Sequence, residues 1–126
     1  MSRPNTSSKV LVLAREAVIA GLLGMLLELE SYEPVYPADG ERPEEALARI
    51  RPPLVVVLDG ELDSARSDIF LARAAKSRAG VVLFSPPHDG GSIAALARER
   101  DLPHFAMPCT RADLAAAVKQ ALGKTG

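Results

Sequence analysis

The chain predicts a three-layer α/β sandwich of (βα)5 type, a parallel five-stranded sheet with helices on both faces. Three observations carry this. Leu54–Asp59 (LVVVLD) is an unbroken aliphatic run ending at one carboxylate, which suits a central parallel strand covered on both sides. Short apolar runs alternate with helix-length segments along the chain, the pattern of a βαβ architecture. Every crossover has about the length that a βαβ unit needs. A doubly wound sheet of this kind takes the order 2-1-3-4-5, with its switch point between strands one and three. Ligands and chemistry gather there, at the carboxyl ends of the strands, and Asp59 stands at one of those ends.

Residues 1–8 are polar and serine-rich and read as a disordered tail, residues 9–123 as the domain and 124–126 as a second tail. Lys9–Leu13 (KVLVL) is the first strand and Ala17–Glu30 a helix apolar over most of its circumference. Gly21 and Gly24 lie inside that helix; each costs roughly 1 kcal/mol against alanine, so close packing against a neighbour is expected. Val35–Pro37 is a short second strand, restricted to an edge by Pro34 and Pro37. Pro43 opens a helix to about Ile50, and Arg51-Pro52-Pro53 leads into LVVVLD. Ser64–Ala79 is helical, with Ile69, Ala72, Ala75 and Ala79 as its apolar face and Gly80 as its stop. Val81–Phe84 is the fourth strand, Gly91–Arg100 the fourth helix and His104–Met107 the fifth strand. Thr110 caps the last helix with Asp113 three residues on. That helix turns Leu114, Ala117, Val118, Ala121 and Leu122 inward and ends at Gly123.

Composition narrows the function. The 126 residues fit one domain, with 48% hydrophobic and 25% charged residues, ordinary globular values. The net charge is −1 with both signs interspersed, so no basic block exists to neutralise the phosphates of a nucleic acid. Cys109 is the single cysteine, which excludes an intrachain disulfide and argues against a cysteine metal site. The apolar segment Ala17–Leu27 is about half the length that spans a bilayer. It also starts too late and lacks the basic leader of a signal peptide. A cytoplasmic location is expected.

The strand ends carry Ala14, Arg15 and Glu16 after the first strand, Asp59, Gly60 and Glu61 after the third, Ser85 after the fourth, and Met107 and Pro108 at the fifth. With KVLVLARE, PPLVVVLDGEL, VVLFSPP and HFAMP in this order, the chain resembles response regulator receiver (CheY-like) domains over roughly residues 9–122. That resemblance implies a flavodoxin-like fold and two-component signal transduction without enzymatic activity. It places Asp59 at the phospho-acceptor position, Ser85 at the switch hydroxyl, Pro108 at the proline after strand five and His104 at the aromatic switch position. The departures are Ala14 and Arg15 where the family has an acidic pair, and Met107 where it has a lysine.

Phosphoryl transfer to a carboxylate needs a divalent cation on the equatorial oxygens. Mg²⁺ is held by carboxylates in near-octahedral geometry, and here a methyl group and a guanidinium stand in their place. Glu16 falls just beyond the metal-ligand positions, and Asp59 with Glu61 makes only a poor ligand set. The expectation is a degenerate pseudo-receiver with no cofactor, Mg²⁺ being needed only if phosphorylation is retained. Arg15 has two readings: its guanidinium replaces the metal and pairs with Asp59, or it turns out into solvent. The side chain of Glu61 lies near the acceptor and disfavours a phosphoryl group. Asp63-Ser64 reads as a cap on the third helix. His104 is either a pH reporter or a half-exposed strand-end histidine. His88, beside Asp89, reads as a solvated loop residue.

Protein partners follow from the resemblance: a histidine kinase, an output protein or a second copy, docked on the fourth helix, fifth strand and fifth helix. That face offers Ile93, Leu96, Arg98, Arg100 and Lys119. No nucleic acid or membrane partner is expected, and a homodimer is one of the assemblies that the resemblance allows. The chain has no room for an output domain, so it acts alone, pairs with another protein or belongs to a longer one. Two alternatives stand beside this: a phospho-accepting receiver with an unusual metal site, and a flavodoxin-like domain that binds a small molecule. Against the second, aromatic residues total 4% and tryptophan is absent, leaving little to stack on a flavin or a base.

Overall fold

Parallel strands in the order 2-1-3-4-5 form the centre of the molecule. The structure, a computed structural model, describes residues 8–50 and 54–125. The amino-terminal tail before Ser8, the Arg51-Pro52-Pro53 link and Gly126 lie outside the described residues. The strands are β1 (Lys9–Leu13), β2 (Glu33–Val35), β3 (Leu54–Asp59), β4 (Ala79–Ser85) and β5 (His104–Ala106). The helices are α1 (Ala17–Leu29), α2 (Pro43–Arg49), α3 (Asp68–Lys76), α4 (Ser92–Glu99) and α5 (Arg111–Thr125).

The aliphatic run of β3 is explained by its two faces. Val56 and Leu58 join Leu11 and Leu83 under α2, α3 and α4, where Leu47, Phe70, Ala74, Ile93 and Ala97 close that layer. Val55 and Val57 join Val10, Val12, Val82 and Phe84 under α1 and α5, against Ile19, Leu23, Leu27, Leu114 and Val118. Burying each such side chain stabilises the fold by about 1.5–3 kcal/mol. Only Asp59, at 2% exposure, interrupts the apolar character of this strand, at its carboxyl end.

Several elements are placed differently from the sequence expectation. β2 starts two residues earlier, at Glu33, whose N–H donates to the Ser8 carbonyl and sets the register on β1; its edge position is as expected. The helix expected over Ser64–Ala79 is two pieces. Asp63–Arg66 is a 3-10 turn, and Ser67 caps α3 by accepting the Phe70 N–H at 3.1 Å. Asp63 and Ser64 therefore do not cap α3. The inward face of α3 is Phe70 and Ala74, while Ile69 is 68% exposed. Arg78 at φ 61° ends this helix, not Gly80. Ala79 and Gly80 lie inside β4, paired with Leu54 and Val55. Ser31 and Asp101, both at positive φ, follow α1 and α4 in the same way. α5 runs through Gly123 to Thr125, and the Thr110–Asp113 capping pair is formed in both directions.

Gly24 and Gly80 have packing reasons. A Cβ at Gly24 would lie 1.8 Å from the Tyr36 hydroxyl, whereas one at Gly21 meets nothing within 4 Å. A Cβ at Gly80 would lie 2.6 Å from the Ala121 carbonyl oxygen, so the α5 backbone itself must move. Gly80→Ala is expected to lower stability by about 1–3 kcal/mol, measured by urea unfolding. Unchanged stability would contradict the close approach of β4 and α5.

Candidate functional site

β1 and β3 run level to the pair Leu13–Leu58, so Ala14 and Asp59 emerge side by side at the sheet's carboxyl edge. A buried carboxylate is tolerated only when hydrogen-bonded, and two backbone donors meet this one. The Arg15 N–H donates to Asp59 Oδ2 at 3.0 Å and the Glu61 N–H to Oδ1 at 2.9 Å. The Leu62 N–H donates to the Asp59 carbonyl, and the Gly60 N–H to the Phe84 carbonyl of β4. The chain thus turns tightly around the carboxylate.

Of the two readings of Arg15, the pairing of its guanidinium with Asp59 is not made, and the outward one is observed. With its N–H aimed at the carboxylate, Arg15 sends its side chain to the surface, where Nη1 donates to Glu61 Oε1 at 2.8 Å. These side chains are 58% and 43% exposed. Glu16 is the exposed amino-terminal cap residue of α1 and makes no side-chain cap. Among the described residues, no three His, Cys, Asp or Glu side chains gather where they could hold a metal ion.

Ser85 and His104 form a second pair. Ser85 is 3% exposed at the end of β4, and its Oγ lies 2.7 Å from His104 Nε2 on β5. Burial lowers the His104 pKa from its ordinary value; Asp89 opposes this and Arg98 adds to it. Asp89 was not singled out from the sequence, yet it caps α4. Its carboxylate accepts the N–H groups of Gly91 and Ile93 and the Ser92 hydroxyl. Burial works against its ionisation, but these donors and the nearby His104 hold its pKa below the ordinary value. An aspartate three residues before a helical serine was the available signal. His88, at φ 73°, occupies the loop before it and is exposed, as expected for a loop residue.

The remaining strand-end residues complete the rim. The Met107 N–H donates to the Ser85 carbonyl, and its side chain is buried in the layer under α1 and α5. The Met107–Pro108 peptide is cis. Gly60 lies under the first turn of α4: a Cβ there would come 2.3 Å from Ile93 Cγ2. Ile93 is therefore core, at 1% exposure, and is withdrawn from the docking face expected around α4. Arg100 is bonded to Asp68 of α3, while Arg98 and Lys119 are exposed. Arg66 also escaped the sequence reading; its Nη1 donates to the Gly60 carbonyl at 2.9 Å. A cavity of about 550 Å³ lies at the amino end of β4, away from Asp59, between Leu71, Ala75, Arg78, Leu102 and Pro103.

No known sequence family and no curated protein matches the chain. Solved structures do. A response regulator receiver protein from Sinorhizobium medicae WSM419 aligns over 96% of this chain and 98% of its own, at 20% identity and a TM-score of 0.74. A response regulator receiver protein from Burkholderia phymatum aligns over 93% and 96%, at 18% identity and a TM-score of 0.72. NtrX from Brucella abortus, solved in complex with ADP, aligns over 95% of this chain but 27% of its own, at 23% identity and a TM-score of 0.73. The likeness shows the fold, which is the flavodoxin-like fold of receiver domains.

The geometry separates two neighbouring residues. Asp59→Ala strands two backbone donors and is expected to cost about 2–4 kcal/mol in urea unfolding, whereas Arg15→Ala breaks an exposed pair and costs less than about 1 kcal/mol. Equal losses would contradict the backbone grip on Asp59. For His104, whose folded pKa lies below its unfolded value, stability is complete above the ordinary histidine value of 6.5 and falls as pH drops through the folded pKa. His104→Gln is expected to flatten the melting temperature against pH below about 6.5. Parallel wild-type and variant curves would contradict it.

Proposed function

We propose that this chain is a receiver-like signalling module, cytoplasmic and non-enzymatic, that works through protein partners without regular phosphotransfer at Asp59. One observation carries the proposal: among the described residues, the strand-end carboxylate has no acidic companion that could share a metal ion. Ala14 stands level with it, the Arg15 guanidinium is engaged by Glu61, and both oxygens of Asp59 already accept backbone N–H groups. Mg²⁺ prefers six oxygen ligands in octahedral array; one buried carboxylate beside a guanidinium–carboxylate pair does not fit it. At the fifth strand, Met107 packs among apolar side chains and brings no cation to the site.

The partner surface in this proposal is the α4–β5–α5 face. Arg98 and Lys119 are exposed on it. A hollow of about 550 Å³ lies along β5 and α5 between His104, Phe105, Ala106, Pro108, Asp113 and Gln120. Coupling to the site runs through α4, whose Ile93 covers Gly60 and whose capping Asp89 lies close enough to act on His104. A phospho-accepting receiver is the second reading, favoured by the retained Asp59, Ser85 and Pro108.

Acetyl phosphate with Mg²⁺, followed by intact mass spectrometry, separates the two. The wild type is expected to carry no phosphoryl adduct. Combining Ala14→Asp, Arg15→Asp and Met107→Lys is expected to produce an adduct that Asp59→Asn removes. An adduct on the wild type that Asp59→Asn removes would overturn the proposal and establish the second reading.

A further inference from the structure

The outer face of α1 has no partner among the described residues. Ile19, Leu23 and Leu27 fill the core, yet Val18, Leu22, Met25 and Leu29 are 83%, 38%, 53% and 54% exposed. A surface helix normally turns a polar face to water, and one apolar all round is covered on both sides. The four residues follow each other at spacings of four, three and four, the seam of a coiled coil. Gly21 lies beside this seam, exposed, with nothing within 4 Å of where a Cβ would be. Its cost to the helix is not offset by any contact among the described residues, unlike that of Gly24. A glycine there leaves room for a second backbone.

We infer that α1 is the interface of a homodimer in which two copies pair their first helices antiparallel about a two-fold axis. The stripe is self-complementary in that direction: Val18 faces Leu29 of the second copy and Leu22 faces its Met25. Charge selects the same direction. Glu28 and Glu30 sit at the carboxyl-terminal end of α1, with no basic residue in its last turn, where acidic side chains oppose the helix dipole. Glu30 is partnered by Arg111 of α5. A parallel pair would stack Glu28 against Glu28. The antiparallel pair instead sets this end beside the positive amino-terminal end of the other α1 and its Arg15, while Glu16 approaches Arg111.

The area fits a second copy of modest affinity. The stripe exposes on the order of 400 Å² of apolar surface, within the ~300–600 Å² of the largest and often functional patch on a monomer. Two stripes with the flanking Ala17, Gly21, Leu26 and Tyr32 approach the ~1,200 Å² at the lower end of stable interfaces, which suits a concentration-dependent dimer.

Sedimentation equilibrium of the full chain from micromolar to millimolar concentration tests this. The wild type is expected to pass from monomer to dimer. Met25→Glu, and separately Gly21→Gln, which favours the helix but fills the seam, are each expected to weaken dimerisation at least about tenfold with the melting temperature of dilute protein maintained. Arg98→Glu on α4 is expected to leave it unchanged. In a Cys109→Ser background, Val18→Cys and Leu29→Cys copies are expected to cross-link to each other. A wild type monomeric at millimolar concentration, whatever other protein binds α1, would overturn the inference. So would a dimer insensitive to Met25→Glu, or Val18→Cys copies cross-linking only among themselves.

Discussion

Two backbone N–H groups holding one buried carboxylate are the constraint around which the carboxyl edge of this sheet is built. Asp59 ends a strand otherwise apolar on both faces, so its charge has no side-chain partner in the layers beneath it. The donors come from the residues that follow β1 and β3, Arg15 and Glu61. These N–H groups face the carboxylate while the two side chains lie at the surface, where the guanidinium of one meets the carboxylate of the other in an exposed ion pair. In high dielectric it adds little stability, but it engages the charged side chains that follow β1 and β3 beside Asp59.

The same edge is tied to α4. Gly60, next to Asp59, is the residue on which Ile93 rests, and Ile93 is held in the first turn of a helix capped by Asp89. Asp89 also acts electrostatically on His104, which is hydrogen-bonded to Ser85. Packing and electrostatics on α4 therefore connect Asp59 with the Ser85 hydroxyl and His104 on β5. The Ser85 hydroxyl is engaged on the side of the edge strand, and the protonation of His104 bears on that engagement.

Much of the fold was legible because burial dictated composition. β1 and β3 fell where the apolar runs placed them, and the prolines around β2 kept it at the edge. α3 was misjudged because Ile69-Phe70-Leu71 supports two helical stripes; the aromatic ring of Phe70, not Ile69, fills the space beside β4. Gly80 mimicked a helix stop while serving the close approach of α5, and Arg78 supplied the left-handed residue instead. At the site, sequence located Asp59, Ser85 and His104 but not their partners. Arg15 had two readings, and the outward one holds: its N–H, not its guanidinium, reaches Asp59, and the side chain pairs with Glu61 at the surface. The caps and props, Asp89 and Arg66, act through backbone groups that a residue pattern does not display.

In the proposed function the Asp59 carboxylate is committed to its backbone donors and takes no metal-assisted phosphoryl group. Amide-resolved NMR of the Arg15, Glu61 and Ser85 N–H signals during addition of Mg²⁺ with beryllofluoride tests it most directly. Unmoved signals across millimolar additions are the predicted result. Saturable shifts of all three, absent from Asp59→Asn, would contradict it.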